Sequence, residues 1–177
     1  MASPQSISGT QAPYVLSSQD VNALLEIVSA SNGTPRENVL RAHVTAHGLD
    51  DALAMFGQFV EMALSVTGNC RLQTELVLVT EGGMHPHQAE QINMPTIVGA
   101  LQGVLLANAV DASGTCSSCA FRLATPANQS PSTTADAEYC SDELKSFFCH
   151  KRGVMQNGAL TRRCVGDAKI QKRKPHD

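Results

Sequence analysis

Tryptophan is absent, and two tyrosines with five phenylalanines bring the aromatic share to only 4%. Readers of single-stranded nucleic acid grip bases largely by stacking them on aromatic rings, so recognition of that kind has almost nothing to stand on here. Charge is also scarce: 16% of residues are Asp, Glu, Lys or Arg and the formal net charge is −3, so bulk charge names no partner. No apolar run is long enough for a bilayer, which takes about 20 residues; the longest, residues 95–110, is interrupted by Gln102 and Asn108. Met1–Pro13 carries neither a positive charge nor an apolar core, so it does not read as a signal peptide. Residues 1–15 are expected to form a disordered leader. Gly-rich phosphate loops, a GxSxG elbow and a dinucleotide fingerprint are all missing, which leaves a non-enzymatic protein as the expectation.

What is present is unevenly distributed. The 177 residues are 42% apolar, enough for one ordinary domain with a small appended module. Residues 1–110 have a net charge of −6, residues 111–150 of −3, and residues 151–177 of +6, an acidic body with a basic end. Cys70 stands alone, whereas Cys116, Cys119, Cys140, Cys149 and Cys164 crowd the last third. A chain without a secretory signal is expected in the cytoplasm, where six cysteines read as thiols or metal ligands rather than disulfides. The turn-rich stretch Asp111–Thr115 marks a boundary. The expected division is a helical domain over 16–110, a cysteine metal-binding module over 111–166 and a basic tail over 167–177.

The fold class expected is mainly α: an N-terminal helical bundle followed by a small, loop-rich cysteine module. Val21, Leu24, Leu25 and Val28 recur at helical spacing. Thr34-Pro35-Arg36-Glu37 reads as a helix start, with Thr34 as the cap and Pro35 in the first turn, and Gly48 as the stop. A third helix from Asp50 would bury a stripe of Leu53, Phe56, Val60 and Leu64 and end at Gly68. Leu76–Val79 leans towards helix, Pro86–Asn93 suits a short one, and Pro95 would open a last helix to about Val110. Residues 124–135, rich in Thr, Pro, Asn, Gln and Ser, read as loop.

A part of about 60 residues with few aliphatics needs a staple, and the cysteines offer one. Cys116-Ser117-Ser118-Cys119 is a CxxC knuckle, whose tight turn aims two sulfurs at one ion. Cys149 and Cys164 complete the expected tetrahedral set, with Cys140 and His150 as alternates. Zinc is the first expectation and a [4Fe–4S] cluster the alternative. A close pair, a long gap and two cysteines fifteen apart resemble the ligand order of the iron–sulfur uracil-DNA glycosylases, although no glycosylase active-site motif precedes them. A thioredoxin-type use of the CxxC would need a βαβ setting that the flanking residues do not offer. Arg122, Thr125 and Asn128 are the expected supports of the thiolates, by donating to sulfur or closing turns beside it.

The string Cys116-Ser-Ser-Cys119-Ala-Phe121-Arg122-Leu-Ala124-Thr125-Pro-Ala-Asn128, with Phe148-Cys149-His150 and Cys164, resembles a CxxCxFRxxTxAN…FxCH…C pattern of small bacteriophage and prophage proteins. The resemblance covers residues 116–164 and implies a phage origin, hence a host-cell cytoplasm, and a shared metal module. It implies no activity. Those proteins often carry Gly before the Thr, where this chain has Ala124.

Lys151, Arg152, Arg162, Arg163, Lys172, Arg173 and Lys174 surround the cysteines with positive charge, the composition that contacts phosphate backbones. Nucleic acid is therefore one expected partner. Another protein, or a neighbouring copy of the chain, is the alternative, with the metal then only a staple for a virion or host-interaction protein. His43 and His47 sit at i, i+4, but Val44 replaces the Glu that a zinc-protease helix requires, so they read as a solvated face. His85 and His87 flank Pro86 in what reads as a loop, and Cys70 reads as a buried thiol.

Overall fold

A capping box starts the fold. The Ser17 hydroxyl accepts from the Asp20 amide at 3.1 Å while the Asp20 carboxylate accepts from the Ser17 amide at 3.0 Å, fixing the first turn of α1 (Ser18–Ser29). The computed structural model describes residues 14–80, 94–143, 145–148, 155–156, 159–160 and 163–173. Helix α1 buries Val21, Leu24 and Ile27. Helix α2 (Thr34–His47) buries none of its residues and is held by Arg36, whose guanidinium donates to the carbonyls of Ile27 and Ala30 at the end of α1. Its cap is Gly33 rather than Thr34, so the expected start lies one residue too late. Gly48, with φ +88°, ends α2 as expected.

Helix α3 (Leu49–Thr80) departs most from the sequence reading. It runs through Gly68 instead of stopping there and takes Leu76–Val79 into the same helix. The face against the core carries Ala52, Met55, Met62 and Val66, while the expected stripe of Leu53, Val60 and Leu64 is exposed and Phe56 half-buried. Residues 86–93 lie outside the described residues. Helix α4 (Ile97–Asn108) is capped by the Thr96 side chain rather than opened by Pro95, and buries Gly99, Ala100, Leu101, Gly103, Val104 and Leu106.

Residues 131–135, expected as loop, belong to helix α5 (Pro131–Asp142). Its buried positions are Thr134, Ala137 and Ser141, at helical spacing but carried by small and polar residues, so no hydrophobic period announces them. The Thr134 and Ser141 hydroxyls are satisfied by the carbonyls of Ser130 and Ala137, four residues back. Met155–Gln156 (β1) and Ala159–Leu160 (β2) form a two-stranded antiparallel ladder, and a bridge between Phe148 and Arg163 lies nearer its base. The chain then enters α6 (Val165–Arg173), so the expected basic tail begins as a helix with Asp167 and Ile170 buried.

The architecture is mainly helical, and no helix among the described residues is long and apolar enough to cross a membrane. Two apolar clusters share α4. Tyr14, α1, α3 and the residues to Val104 form one; Leu106, Val110, Phe121, Ala137, Phe147 and Ile170 form the other. Tyr14, inside the expected leader, is fully buried. Between the clusters runs a buried polar belt, Asn128-Gln129-Ser130. The Gln129 amide donates to the Tyr14 hydroxyl and Ser65 and accepts from Asn69 at 2.6 Å. Gly99 and Gly103 let this belt lie against α4: a Cβ at Gly103 would stand 1.9 Å from the Asn128 carbonyl oxygen.

Candidate metal centre

Cys116 and Cys119 occupy a tight turn in which the Cys119 amide donates to the Cys116 carbonyl at 3.2 Å. The turn is held from behind. Thr125 donates its hydroxyl to the Cys119 carbonyl at 2.9 Å and accepts from the Asn128 amide. The Asn128 side chain donates to Ala120 at 2.6 Å and to Gly103 on α4 at 2.8 Å. Thr125 and Asn128 thus support the knuckle through its carbonyls, the turn-closing half of their expected role. Arg122 reaches the Thr115 carbonyl at 3.5 Å, and its buried Nε has no hydrogen-bond partner among the described residues. Ala124 adopts φ +62°, the left-handed conformation that suits the Gly of the resembling pattern.

Cys164 arrives from the other end of the module. It immediately precedes α6, and its carbonyl accepts from Ala168, so it is the helix cap. Its amide donates to Phe147 at 2.7 Å, while the Phe147 amide donates to the buried carboxylate of Asp167. Arg163 pairs with that carboxylate at 2.7 Å. Gly166 lies against the Phe121 ring, where a Cβ would meet ring carbon at 2.4 Å. Phe121 and Phe147 meet edge to face with centroids 6.0 Å apart.

The outcome is that Cys119 and Cys164, 45 residues apart, place their sulfurs 3.5 Å from each other. That is far beyond a disulfide, at about 2.05 Å. It is close to the roughly 3.8 Å separating two thiolates on one tetrahedral zinc with Zn–S bonds of about 2.3 Å. Both line a cavity of about 240 Å³ together with Cys116, Ala120, Pro126 and Phe147. Either sulfur can donate to the other. The Cys119 thiol, followed by the Asp167 and Gly166 amides at the start of α6, lowers the Cys164 pKa. The hydrogen bond to Cys164, reinforced by burial, pushes Cys119 up.

Of the predicted ligands, Cys116, Cys119 and Cys164 therefore share one cavity, and Cys149 and His150 lie outside the described residues. Cys140 is half-buried against the second apolar cluster and does not line the cavity; burial, then Asp167 and Asp136, raises its pKa. Among the described residues no group of three or more His, Cys, Asp or Glu side chains is close enough to hold a metal ion. Cys70 is half-buried and donates to the Pro95 carbonyl. The rings of His43 and His47 lie 4.7 Å apart beside a cavity of about 580 Å³ that Asp20, Asp51 and Gln58 also line, and Gln19 contacts His47. Residues 85–87 are outside the described residues.

Of the expected phosphate-contacting residues, Arg163 is tied to Asp167, and Lys172 and Arg173 fall on α6. Lys151, Arg152, Arg162 and Lys174 lie outside the described residues. Asp167 and Gln129 organise the site and its attachment to the body, yet nothing in their sequence setting marks them. No family model, no curated protein and no solved structure matches the chain.

Proposed function

We propose that the chain is a non-enzymatic binding protein of phage type whose last third is organised by one zinc ion on Cys116, Cys119, Cys149 and Cys164, with a host-cell cytoplasm as its place of action. The observation that carries this reading is the approach of Cys119 and Cys164 to 3.5 Å in a cavity that Cys116 also lines. Zinc is favoured over a [4Fe–4S] cluster by that distance, because sulfurs on a single ion stand closer than sulfurs bound to separate irons. The backbone amides of Asp167 and Gly166, which donate to the Cys164 sulfur, support the same reading, since a thiolate ligand is stabilised by such donors.

Metal analysis of anaerobically purified protein tests the first part. One zinc per chain without visible colour is expected; several irons with an absorbance band would replace zinc by the cluster, and neither metal would overturn the reading. The partner proposed for the basic end is a nucleic acid, contacted through phosphate by Lys151, Arg152, Arg162, Arg163, Lys172, Arg173 and Lys174. Reversing Lys172, Arg173 and Lys174 to Glu leaves every proposed ligand in place. It should weaken binding to duplex DNA or RNA and flatten its salt dependence. Unchanged binding would shift the partner to another protein, with the metal a staple.

A further inference from the structure

The Cys119 and Cys164 thiols touch without being bonded: their sulfurs are 3.5 Å apart, and a disulfide requires about 2.05 Å. Closing the gap takes about 1.5 Å of sulfur movement, within reach of small rotations about the two Cα–Cβ bonds. Both residues are almost fully buried, 3% and 4% exposed, so the way to them is the cavity they line. That cavity holds about 240 Å³, less than the roughly 300–1,000 Å³ of sites for drug-sized ligands. Half-buried Cys116 and Ser118 also line it. Apart from the three cysteines, no described residue lining it is ionisable. Such a space suits a small neutral oxidant and excludes a bulky charged one such as a peptide disulfide.

We propose that Cys119 and Cys164 are a peroxide-sensitive thiol pair, oxidised by hydrogen peroxide to a reversible disulfide. The Cys164 sulfur receives the Gly166 and Asp167 amides at the start of α6, which favours it as the attacking thiolate. It bonds to one peroxide oxygen, the O–O bond breaks, and the departing hydroxide takes up a proton and leaves as water. Cys164 is then a sulfenic acid. The Cys119 sulfur attacks the Cys164 sulfur, the S–O bond breaks, and hydroxide leaves as a second water with the Cys119 proton. Two thiols and one hydrogen peroxide thus give one disulfide and two waters, with two electrons passing from sulfur to oxygen. The bond joins the CxxC turn to the start of α6 across 45 residues. One consequence rests on the zinc reading: oxidation removes two of the four proposed ligands and expels the ion, while the disulfide keeps the same two segments tied.

The test uses the full-length chain as purified, with its metal content measured, treated stepwise with hydrogen peroxide and then alkylated. Two thiols per chain should be lost, with the intact mass before alkylation about 2 Da lower and a non-reducing peptide map linking Cys119 to Cys164. Dithiothreitol should return both thiols. Where zinc is bound, one ion should be released per disulfide. A first disulfide between Cys116 and Cys119, or to any other cysteine, would overturn the proposal, as would sulfinic acid at Cys164 without a bridge. In Cys119→Ser, dimedone should trap a sulfenic acid at Cys164; a Cys164→Ser chain labelled at Cys119 instead would reject Cys164 as the attacking sulfur. The peptide map of the unaltered chain stands whether or not these variants fold. A chain without zinc that forms this bridge would overturn the zinc reading and keep the thiol pair. A zinc-bound chain that forms none would do the reverse.

Discussion

At Asn128 two hydrogen bonds from one buried amide join the cysteine turn to α4. Asn128→Ala leaves the carbonyls of Gly103 and Ala120 without that donor and should cost about 2–4 kcal/mol in urea unfolding, since each buried orphan costs about 1–3 kcal/mol. Gly103→Ala should destabilise by a similar amount, because the added methyl collides with backbone that cannot move aside. Ala124→Gly works in the other direction. Relieving a left-handed Ala should stabilise the chain by about 0.5–1 kcal/mol after the entropy of glycine is subtracted. Asp111 gives a pH signature. Hydrogen bonds from the Ser113 hydroxyl and amide, with a smaller contribution from Lys169, hold its carboxyl down at about 2. A depressed acid stabilises the fold above its unfolded value of about 3.9 and loses that contribution as pH falls through about 2. Carboxyl NMR of Asp111 should therefore titrate near 2, and Asp111→Asn should erase the step. That Cys116, Cys119 and Cys164 would meet in one cavity was legible because a CxxC turn presents two sulfurs together and the remaining cysteines crowd the same third of the chain. Asn128, Gln129 and Asp167 were not, since the burial of each depends on at least one partner that lies 20 to 115 positions away.

Among the elements, α3 and α5 show where pattern reading stops. In α3 the apolar residues occupy two faces, and spacing alone favours the one richer in leucine. Which face is covered depends on how α2 and α4 pack on it, a tertiary fact. Met62→Ala should therefore cost about 2–5 kcal/mol, whereas Leu64→Ala should shift the unfolding free energy of the monomer by no more than about 0.5 kcal/mol. Equal costs at the two positions would mean that the helix is rotated. Helix α5 fails the opposite test. Thr134, Ala137 and Ser141 are small enough to lie close to their neighbours and carry too little apolar surface to register as a stripe. The start of α1, with its Ser17 and Asp20 box, and the stop at Gly48 are local chemistry, and local chemistry is what a sequence displays directly.

For the whole molecule, the boundary expected near residues 111–115 coincides with a turn, but the parts on either side of it are not independent. Gln129 and Asn128 reach into the helical body, and Leu106 and Val110 of the body reach into the cysteine part. If zinc holds the last third, chelation should release protection from hydrogen exchange around Phe147 and residues 164–170 first, while amides of α1 and α4 keep theirs until global unfolding. Uniform release would instead make the metal a determinant of the entire fold. The Lys169 ammonium, which donates to the carbonyls of Asp111 and Ser113, is a further tie that such an experiment would expose.

The belt at residues 128–130 also sets an order of events during synthesis. Translation delivers α1 to α4 before Gln129, yet the Tyr14 hydroxyl, Ser65 and Asn69 use Gln129 as partner, and the surface of α4 at Gly99 and Gly103 is shaped for backbone that has not yet been made. The N-terminal bundle therefore waits, with its last polar partners and its glycine groove in water, until the ribosome has passed the cysteine knuckle. A premature stop in the linking turn would leave a bundle that the cell's proteases can recognise as unfinished.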